Sequence, residues 1–205
     1  YEIVSLLGAG GMGEGYKARA TRLAREVAVK VLLTGDTTSD EMRQRFEREA
    51  KAISQLSHPH ICALYDVGSH EGTEYLVMEY LEGETLSSRI TKGALPLDRL
   101  LAVGTEIADA LDRAHRQGIV HRDLKPGNVM LTKSGVKLLD FGLARTLAPQ
   151  AATGLTSLPT MAQPKQLTQK GTILGTFQYM APEQLEGGEA DARSDIFAFG
   201  SVLYE

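Results

Sequence analysis

The sequence lacks the features that mark secreted, membrane-spanning and nucleic-acid-binding chains. Its single cysteine, Cys62, excludes an internal disulfide and is typical of a reducing compartment. No apolar run approaches the roughly 18 residues of a membrane helix, and no cationic leader precedes an apolar segment after Tyr1. The formal net charge of −4 provides no basic stripe for nucleic acid. We expect a cytoplasmic chain with no nucleic-acid partner and no membrane contact within these residues, which is compatible with a membrane anchor outside them.

Acidic residues are missing from the long stretch between Arg145 and Pro182. This stretch is rich in Thr, Ser, Gln, Ala and Pro, and its charges after Arg145 are Lys165 and Lys170. Loops of this length inside a compact domain are usually functional or disordered. We expect this one to be both.

Glycine, in contrast, is concentrated in GAGGMGEG, from Gly8 to Gly15. Bare backbone of this kind suits a phosphate cradle or a flexible linker. The spacing Gly8-x-Gly10-x-x-Gly13 is weak evidence, because it fits a dinucleotide-binding turn, the glycine loop of kinases and chance turns. Strand-like residues lie on both sides, and no helix start follows Gly13, so a hairpin is favoured over a dinucleotide-binding turn.

A helix is predicted to start at Ser39 or Asp40, since both residues are good N-caps. Its apolar positions recur at helical spacing, and Glu49 lies on or beside this stripe. A buried carboxylate there needs a cationic partner, whereas a boundary glutamate can turn toward water. The residues alone leave both interpretations open. The apolar positions are Met42, Phe46, Ala50, Ile53 and Leu56.

The remaining pattern predicts a sheet with one helix, followed by a mainly helical part with a small β element. Its 205 residues, of which 42% are hydrophobic, suit one large domain or two small lobes. The long helix 97–117 is closed by Gly118 in a C-cap position. Strands are predicted at 61–67, 74–81, 119–120, 129–131 and 136–139.

The residues that carry chemistry stand close together in the second part. HRDLKPGN runs from His121 to Asn128, and Asp140-Phe141-Gly142 follows. Asn128 and Asp140 offer the oxygen ligands that Mg²⁺ prefers, together with substrate phosphates. Asp123 would then stay free to orient a hydroxyl group.

These motifs resemble those of the eukaryotic-type Ser/Thr protein kinases, and their style is similar to that of the bacterial branch. The resemblance implies an α+β, bilobal protein kinase fold. It places an N-lobe with an antiparallel sheet and one helix at 1–78, a hinge at 79–81, and a mainly helical, truncated C-lobe at 82–205 with an activation segment at 140–183. The ordered motifs are Gly8-x-Gly10-x-x-Gly13, Val27-Ala28-Val29-Lys30, Glu49, the His121 motif, Asp140-Phe141-Gly142 and Ala181-Pro182-Glu183.

The resemblance also assigns catalytic roles. Lys30 would bind the α and β phosphates of ATP and pair with Glu49, Asp123 would accept the proton of the attacking hydroxyl, and Lys125 would stabilise the transferring phosphoryl group. The implied metal ligands are Asn128 and Asp140, with Mg²⁺ as the cofactor and Mn²⁺ as an alternative. The implied ATP-binding residues are Leu7, Gly8, Gly10, Gly11, Gly13, Ala28, Lys30, Glu79, Leu81 and Met130.

Lys125-Pro126 and Gly175-Thr176 resemble the Ser/Thr class, so the implied substrates are Ser/Thr-bearing proteins, including the chain itself by autophosphorylation. In this family the arginine at Arg122 usually binds a phosphate on the activation segment. The candidate phosphosites are Thr168 and Thr172. Structural roles are implied for Arg122, Phe141, Glu183 and Asp195, the last as the residue that steadies the catalytic loop.

Two departures from the family pattern stand out. Gly15 occupies a position where valine usually packs on adenine, which predicts weaker ATP binding. The helix that carries Asp195 is cut at Glu205, so part of the C-lobe core is expected to be exposed and the fragment unstable alone. Two alternative functions remain open. One is a pseudokinase that binds nucleotide without phosphoryl transfer, and the other is a small-molecule phosphotransferase of related fold.

Overall fold

The computed structural model describes residues 1–10, 13–32, 40–143 and 177–205. Among the predicted site residues, Gly11, Thr168 and Thr172 lie outside these ranges. In the part of the chain that is described, no helix is both long and apolar enough to cross a membrane.

The first part is an antiparallel sheet of five strands in the order β1-β2-β3-β5-β4. The predicted glycine hairpin is confirmed, with Gly10 opposite Gly13 where β1 meets β2. Gly13 has φ +139°, and a Cβ there would lie 2.0 Å from the Val31 carbonyl oxygen on β3, so only glycine fits this approach. The strands are β1 (Glu2–Gly10), β2 (Gly13–Ala20), β3 (Arg25–Leu32), β4 (Leu64–His70) and β5 (Thr73–Glu79).

Helix α1 (Asp40–Ser54) is the predicted amphipathic helix. Its apolar stripe is buried at Phe46, Ala50 and Ile53, and Leu56 is buried just beyond its end. The stripe packs against β4 and joins the main core. The 3.6-residue period therefore identified both the helix and the face that it buries.

The second part begins with β6 (Gly83–Thr85) and α2 (Leu86–Ile90), neither of which the pattern predicted because both are too short to show a period. The predicted long helix is α3 (Leu97–His115). A short 3-10 turn (Pro126–Asn128) leads into β7 (Val129–Thr132) and β8 (Gly135–Leu138), which pair with β6 in the order β6-β7-β8. The described chain ends with α4 (Pro182–Leu185) and α5 (Ala192–Tyr204).

The strand predicted at 119–120 is wrong. Ile119 donates its backbone N–H to the carbonyl of Ala114, and Gly118 takes the left-handed conformation with φ +72°. These residues therefore close the end of α3 instead of pairing with a strand.

One hydrophobic core joins the two parts of the molecule. It contains Phe46 from α1, Leu76 from β5, Ile107 from α3 and Leu138 from β8. A smaller cluster lies within the first sheet, around Val27 and the strands beside it. The loop 121–128 and the segment around Asp140 are attached to the shared core through Leu124 and Phe141, which are 2% and 4% exposed.

Candidate active site

The loop that carries HRDLKPGN is held by helix α5. Asp195, which is 1% exposed, accepts hydrogen bonds from the backbone N–H of His121 at 2.7 Å and of Arg122 at 2.8 Å. Its carboxylate also lies 2.7 Å from Nε2 of His115, at the end of α3. Arg122 itself has φ +65°, a strained conformation for a non-glycine residue that these bonds hold in place. The contacts are those expected for Asp195, and its effect on catalysis stays a prediction.

Asp123 is the buried carboxylate at the centre of this loop. Its Oδ2 accepts hydrogen bonds from Lys125 Nζ at 2.8 Å and Asn128 Nδ2 at 3.0 Å, and Asn128 Nδ2 also reaches the Asp123 backbone carbonyl at 2.8 Å. Within the described residues, Asp123 Oδ1 makes no hydrogen bond. One carboxylate oxygen is thus fixed while the other can accept a proton from a bound hydroxyl group.

Lys30 and Asp140 form the second part of the constellation. Lys30 Nζ lies 2.7 Å from Asp140 Oδ2, which joins β3 to the segment after β8. Asp140 has φ +52°, and the ring of Phe141 next to it packs on His121 with ring centroids 4.6 Å apart. Lys30 and both aspartates, Asp123 and Asp140, line the same cavity.

The predicted pair of Lys30 with Glu49 is not formed. Glu49 does have cationic partners, but they are Arg122 NH1 and Arg45 Nε, each at 3.3 Å. Lys30 already lies against Asp140, so its charge is compensated without α1 moving closer. The boundary-glutamate alternative is also wrong, because Glu49 is only 25% exposed and is ion-paired.

Glu79, the predicted hinge residue at the end of β5, is held by contacts that the sequence motifs did not predict. Its carboxylate lies 2.8 Å from Lys137 Nζ on β8 and accepts the Ala63 backbone N–H at 3.3 Å. Its backbone N–H donates to the Ala63 carbonyl, and its own carbonyl accepts a weak bond from Cys62 Sγ at 3.6 Å. The one sign of this ion pair in the sequence was Lys137, a lysine on the otherwise apolar strand β8.

The other described residues predicted to bind ATP lie on the first sheet, directly after β5 and on β7. Ala28 on β3 pairs in register with Met78, beside the half-buried Leu81, and Met130 on β7 pairs with Lys137. Leu7 is 51% exposed, and a Cβ at Gly8 or Gly10 would have no atom within 4 Å. The backbone at Gly8 and Gly10 thus has open space on the side where a Cβ would lie.

Cys62 is buried and lines the same cavity as Lys30, which has a volume of about 30 Å³. Burial raises the pKa of its thiol to about 12, so the thiol stays protonated at neutral pH. The cavity is also lined by Ile53, Leu64, Leu76, Met78, Phe141 and Leu143.

His121 is a neutral member of the loop. Complete burial lowers the pKa of its imidazole, although the nearby carboxylates of Asp195 and Asp123 oppose this shift. Its Nδ1 accepts the backbone N–H of Asp123 at 3.4 Å, so the ring helps to fix that residue.

Glu183 lies after the undescribed segment, in α4. It accepts a hydrogen bond from Ser194 Oγ at 2.6 Å, and this bond lowers the pKa of its carboxyl group. The neighbouring Gln184 donates to the Arg122 carbonyl at 3.2 Å. Helix α4 is thus connected to both α5 and the loop 121–128.

The metal ligands implied by the motifs fit the chemistry of a magnesium ion. Asn128 Nδ2 is bound to Asp123, which leaves its amide oxygen available, and Asp140 supplies a carboxylate. The described residues contain no cluster of three or more His, Cys, Asp or Glu side chains suited to a metal ion. A site with two protein oxygens is what Mg²⁺ uses when phosphates supply further ligands.

Comparison with known proteins decides the family. A model of the protein kinase domain matches residues 1–205. The chain belongs to the protein kinase domain family. The kinase domain is 43% identical to a probable serine/threonine-protein kinase of Streptomyces coelicolor over 211 residues, and 40% identical to the serine/threonine-protein kinase PknB of Mycobacterium leprae. These alignments include the whole chain but only 29% and 32% of the relatives.

A solved structure agrees with this assignment. The crystal structure of the Mycobacterium tuberculosis PknI kinase domain superposes with a TM-score of 0.75 at 31% identity, covering 98% of this chain and 70% of that one. The bilobal kinase fold is therefore confirmed. The chain spans about a third of the length of the curated relatives, so their full activities are not transferred with the family.

Proposed function

We propose that this domain transfers the γ-phosphoryl group of ATP to serine or threonine hydroxyls of proteins. The observation that carries the proposal is the arrangement of Asp123, held by Lys125 and Asn128, in one cavity with Lys30 and Asp140. Relatives named serine/threonine-protein kinases at about 40% identity support it. The division of the chain into an N-lobe at 1–78, a hinge at 79–81 and a partial C-lobe at 82–205 is part of the same proposal.

The nucleotide would bind between the first sheet and the β6-β7-β8 sheet. Backbone groups of Glu79 and Leu81 would hold the adenine, with Ala28 and Met130 on its faces and Leu7 at the edge. The glycine hairpin would lie over the phosphates. Lys30 would leave Asp140 in part to contact the α and β phosphates, since an ammonium has several donors and binds phosphate as a point charge.

Asp123 and Lys125 would act on the transferred group. Asp123 Oδ1 would orient the substrate hydroxyl and take up its proton, while Lys125 balances charge that develops on the phosphoryl oxygens. Asn128 and Asp140 would hold Mg²⁺, with Mn²⁺ as a substitute. When bound, the metal neutralises charge on the β and γ phosphates.

The arrangement of Glu49 supports a switched enzyme. In the active form Glu49 would leave Arg122 and pair with Lys30, and Arg122 would bind a phosphate on Thr168 or Thr172 instead. Autophosphorylation would supply that phosphate. A soluble cytoplasmic domain acting on protein substrates is the setting that we propose.

A labelling experiment tests the proposal against a pseudokinase. The full chain is incubated with γ-labelled ATP, Mg²⁺ and protein acceptors, beside Asp123→Asn and the surface control Asp112→Asn. We expect label on Ser or Thr to fall at least about a hundredfold in Asp123→Asn only. Equal labelling by Asp123→Asn would refute the role of Asp123, and ATP binding without any transfer would favour the pseudokinase. Transfer only to small alcohols would favour the small-molecule phosphotransferase.

A further inference from the structure

A cavity of about 670 Å³ lies outside the candidate active site. It is formed by β6, α2, the start of α3 and the turn between β7 and β8, and it shares no lining residue with the cavity of Lys30. We call it the α2–α3 groove. The residues that matter for its chemistry are Arg89, Arg99, Leu95, Val103 and Leu131.

The floor of the α2–α3 groove is apolar and firmly held. Val103 is 4% exposed and belongs to the main core, and the half-buried Leu95 and Leu131 pack against that core. The three side chains come from α3, the loop before it and β7. Because the floor is part of the packed interior, the groove does not depend on a mobile loop.

The walls of the groove carry an excess of positive charge. Four cations and two carboxylates line it, and Lys92 is already neutralised by Glu84 at 2.5 Å. Glu82 offsets the charge of Lys133 in number, because both residues line the groove. Arg89 and Arg99 remain, which gives the groove a surplus of two positive charges in a chain of net charge −4.

The two arginines have no carboxylate partner in the described part of the chain. Arg89 NH1 donates to the Gly93 carbonyl at 2.9 Å, which fixes the guanidinium without neutralising it. Arg99 is exposed in the first turn of α3 and forms no ion pair with any described residue. A guanidinium has a planar set of donors that matches a carboxylate in two-bond geometry.

We propose that the α2–α3 groove is a docking site for an acidic peptide segment of the protein substrates, with leucine-like side chains on the floor and carboxylates on Arg89 and Arg99. This rests on the proposed kinase function. Charge complementarity selects against basic segments. Docking at a second site would raise the effective concentration of the acceptor at Asp123.

Binding is measured first, without ATP, so that the result does not depend on catalysis. The probe is a fluorescein-labelled 12-residue peptide of alternating glutamate and leucine, and its lysine–leucine counterpart is the charge control. The full chain should bind the acidic peptide, and binding should weaken when sodium chloride rises from about 0.05 M to about 0.5 M, because exposed ion pairs are screened. Equal binding of the lysine peptide, or no binding of the acidic one, would overturn the proposal.

Arg99→Glu locates the site. We expect it to weaken binding of the acidic peptide about fivefold, and Arg89→Gln/Arg99→Glu to weaken it further. Arg113→Glu is the matched control, because Arg113 is an exposed arginine on the same helix outside the groove. A glutamate in the first turn of α3 suits the helix dipole, so Arg99→Glu should fold normally. Equal loss in both single variants would refute docking in this groove.

Kinetics then connect the groove to catalysis. An acceptor peptide is compared with the same acceptor extended by the glutamate–leucine segment. The extension should lower KM without changing kcat, and Arg99→Glu should abolish that advantage while the unextended acceptor reacts as before. If the chain transfers no phosphate at all, the kinase proposal fails while the binding result still decides the docking site. An extension that changes neither constant would refute substrate docking.

Discussion

Gly15 departs from the protein kinase pattern at a point where the structure has room for a larger side chain. It lies on β2, opposite Gly8 on β1 and Lys30 on β3. A Cβ added there would lie 3.8 Å from the Gly8 carbonyl oxygen and 3.9 Å from Leu7 Cβ, both ordinary contact distances. Glycine is therefore not required here by space, in contrast to Gly13.

Replacing Gly15 by valine should strengthen ATP binding. The new side chain would bury apolar surface against adenine, worth about 1 kcal/mol, so the KM for ATP should fall roughly fivefold with kcat nearly unchanged. Steady-state kinetics with varied ATP would measure this. Gly200→Val is the control, since a Cβ at Gly200 on α5 meets no atom within 4 Å, so a larger side chain has room there as well. An unchanged KM in Gly15→Val would contradict the prediction.

At the scale of elements, α5 fixes the catalytic loop through one buried carboxylate. Asp195→Asn keeps the shape of the side chain but places an NH₂ group where N–H donors now point. The lost bonds should reduce the free energy of unfolding by about 1–3 kcal/mol. Urea unfolding would measure the change, with Asp112→Asn on the surface of α3 as the control. Equal stability of both variants would show that the bonds to Asp195 are not required.

Helix α1 is the element whose position we expect to change with activation. Arg122→Gln would remove one partner of Glu49 and also the proposed receptor for the activating phosphate. The ratio of kcat between phosphorylated and dephosphorylated protein should therefore fall toward one. Arg113→Gln should leave the ratio unchanged. If Arg122→Gln retained the full ratio, Arg122 would not couple the phosphosite to α1.

At the scale of the whole molecule, His121 is completely buried and packs on Phe141, which belongs to the core shared by both parts. A charge on its imidazole therefore affects the stability of the whole fold. Burial lowers the pKa of His121 below its ordinary value of about 6.5, so the unfolded chain binds a proton that the folded chain does not. The free energy of unfolding should therefore decrease as the pH falls from about 7 to about 5. Above about pH 7 the imidazole is neutral in both states, so the stability that neutral His121 allows is fully present.

The His121→Asn variant isolates this effect. Asparagine can still accept the Asp123 N–H, but it does not titrate in this range. The difference in the free energy of unfolding between about pH 7.5 and about pH 5.5 should therefore shrink. His70→Asn, at an exposed histidine, should retain the wild-type difference. Urea unfolding at both pH values gives the measurement. An undiminished difference in His121→Asn would assign the pH dependence to other groups.

The parts of this fold that the sequence revealed are those with a strong local signal. The helical period predicted α1 and α3, and the strand-like residues on both sides of the glycines, with no helix start after Gly13, predicted the hairpin. Elements too short for a period to repeat clearly, such as β6 and α2, left no such signal. The motif set named the residues around Asp123 and Asp140, which the structure brings into one cavity.

What the sequence could not decide was the choice among partners. Glu49 was expected to need a cation, and it has one, but the motifs named Lys30 where the structure has Arg122. Several cations lie within reach of one carboxylate, and the outcome depends on where α1 lies, which is a property of tertiary packing. The same holds for Lys137, whose pairing with Glu79 joins residues 58 positions apart.

The buried thiol of Cys62 has a consequence for inhibitor chemistry. Burial raises the pKa of this thiol to about 12, so the thiol is protonated at neutral pH, whereas electrophiles react with the thiolate. Covalent warheads that capture cysteines beside an ATP site should therefore fail against this domain. A selective compound would have to bind reversibly and gain its affinity from apolar groups that contact Met78 and Phe141, which line this cavity.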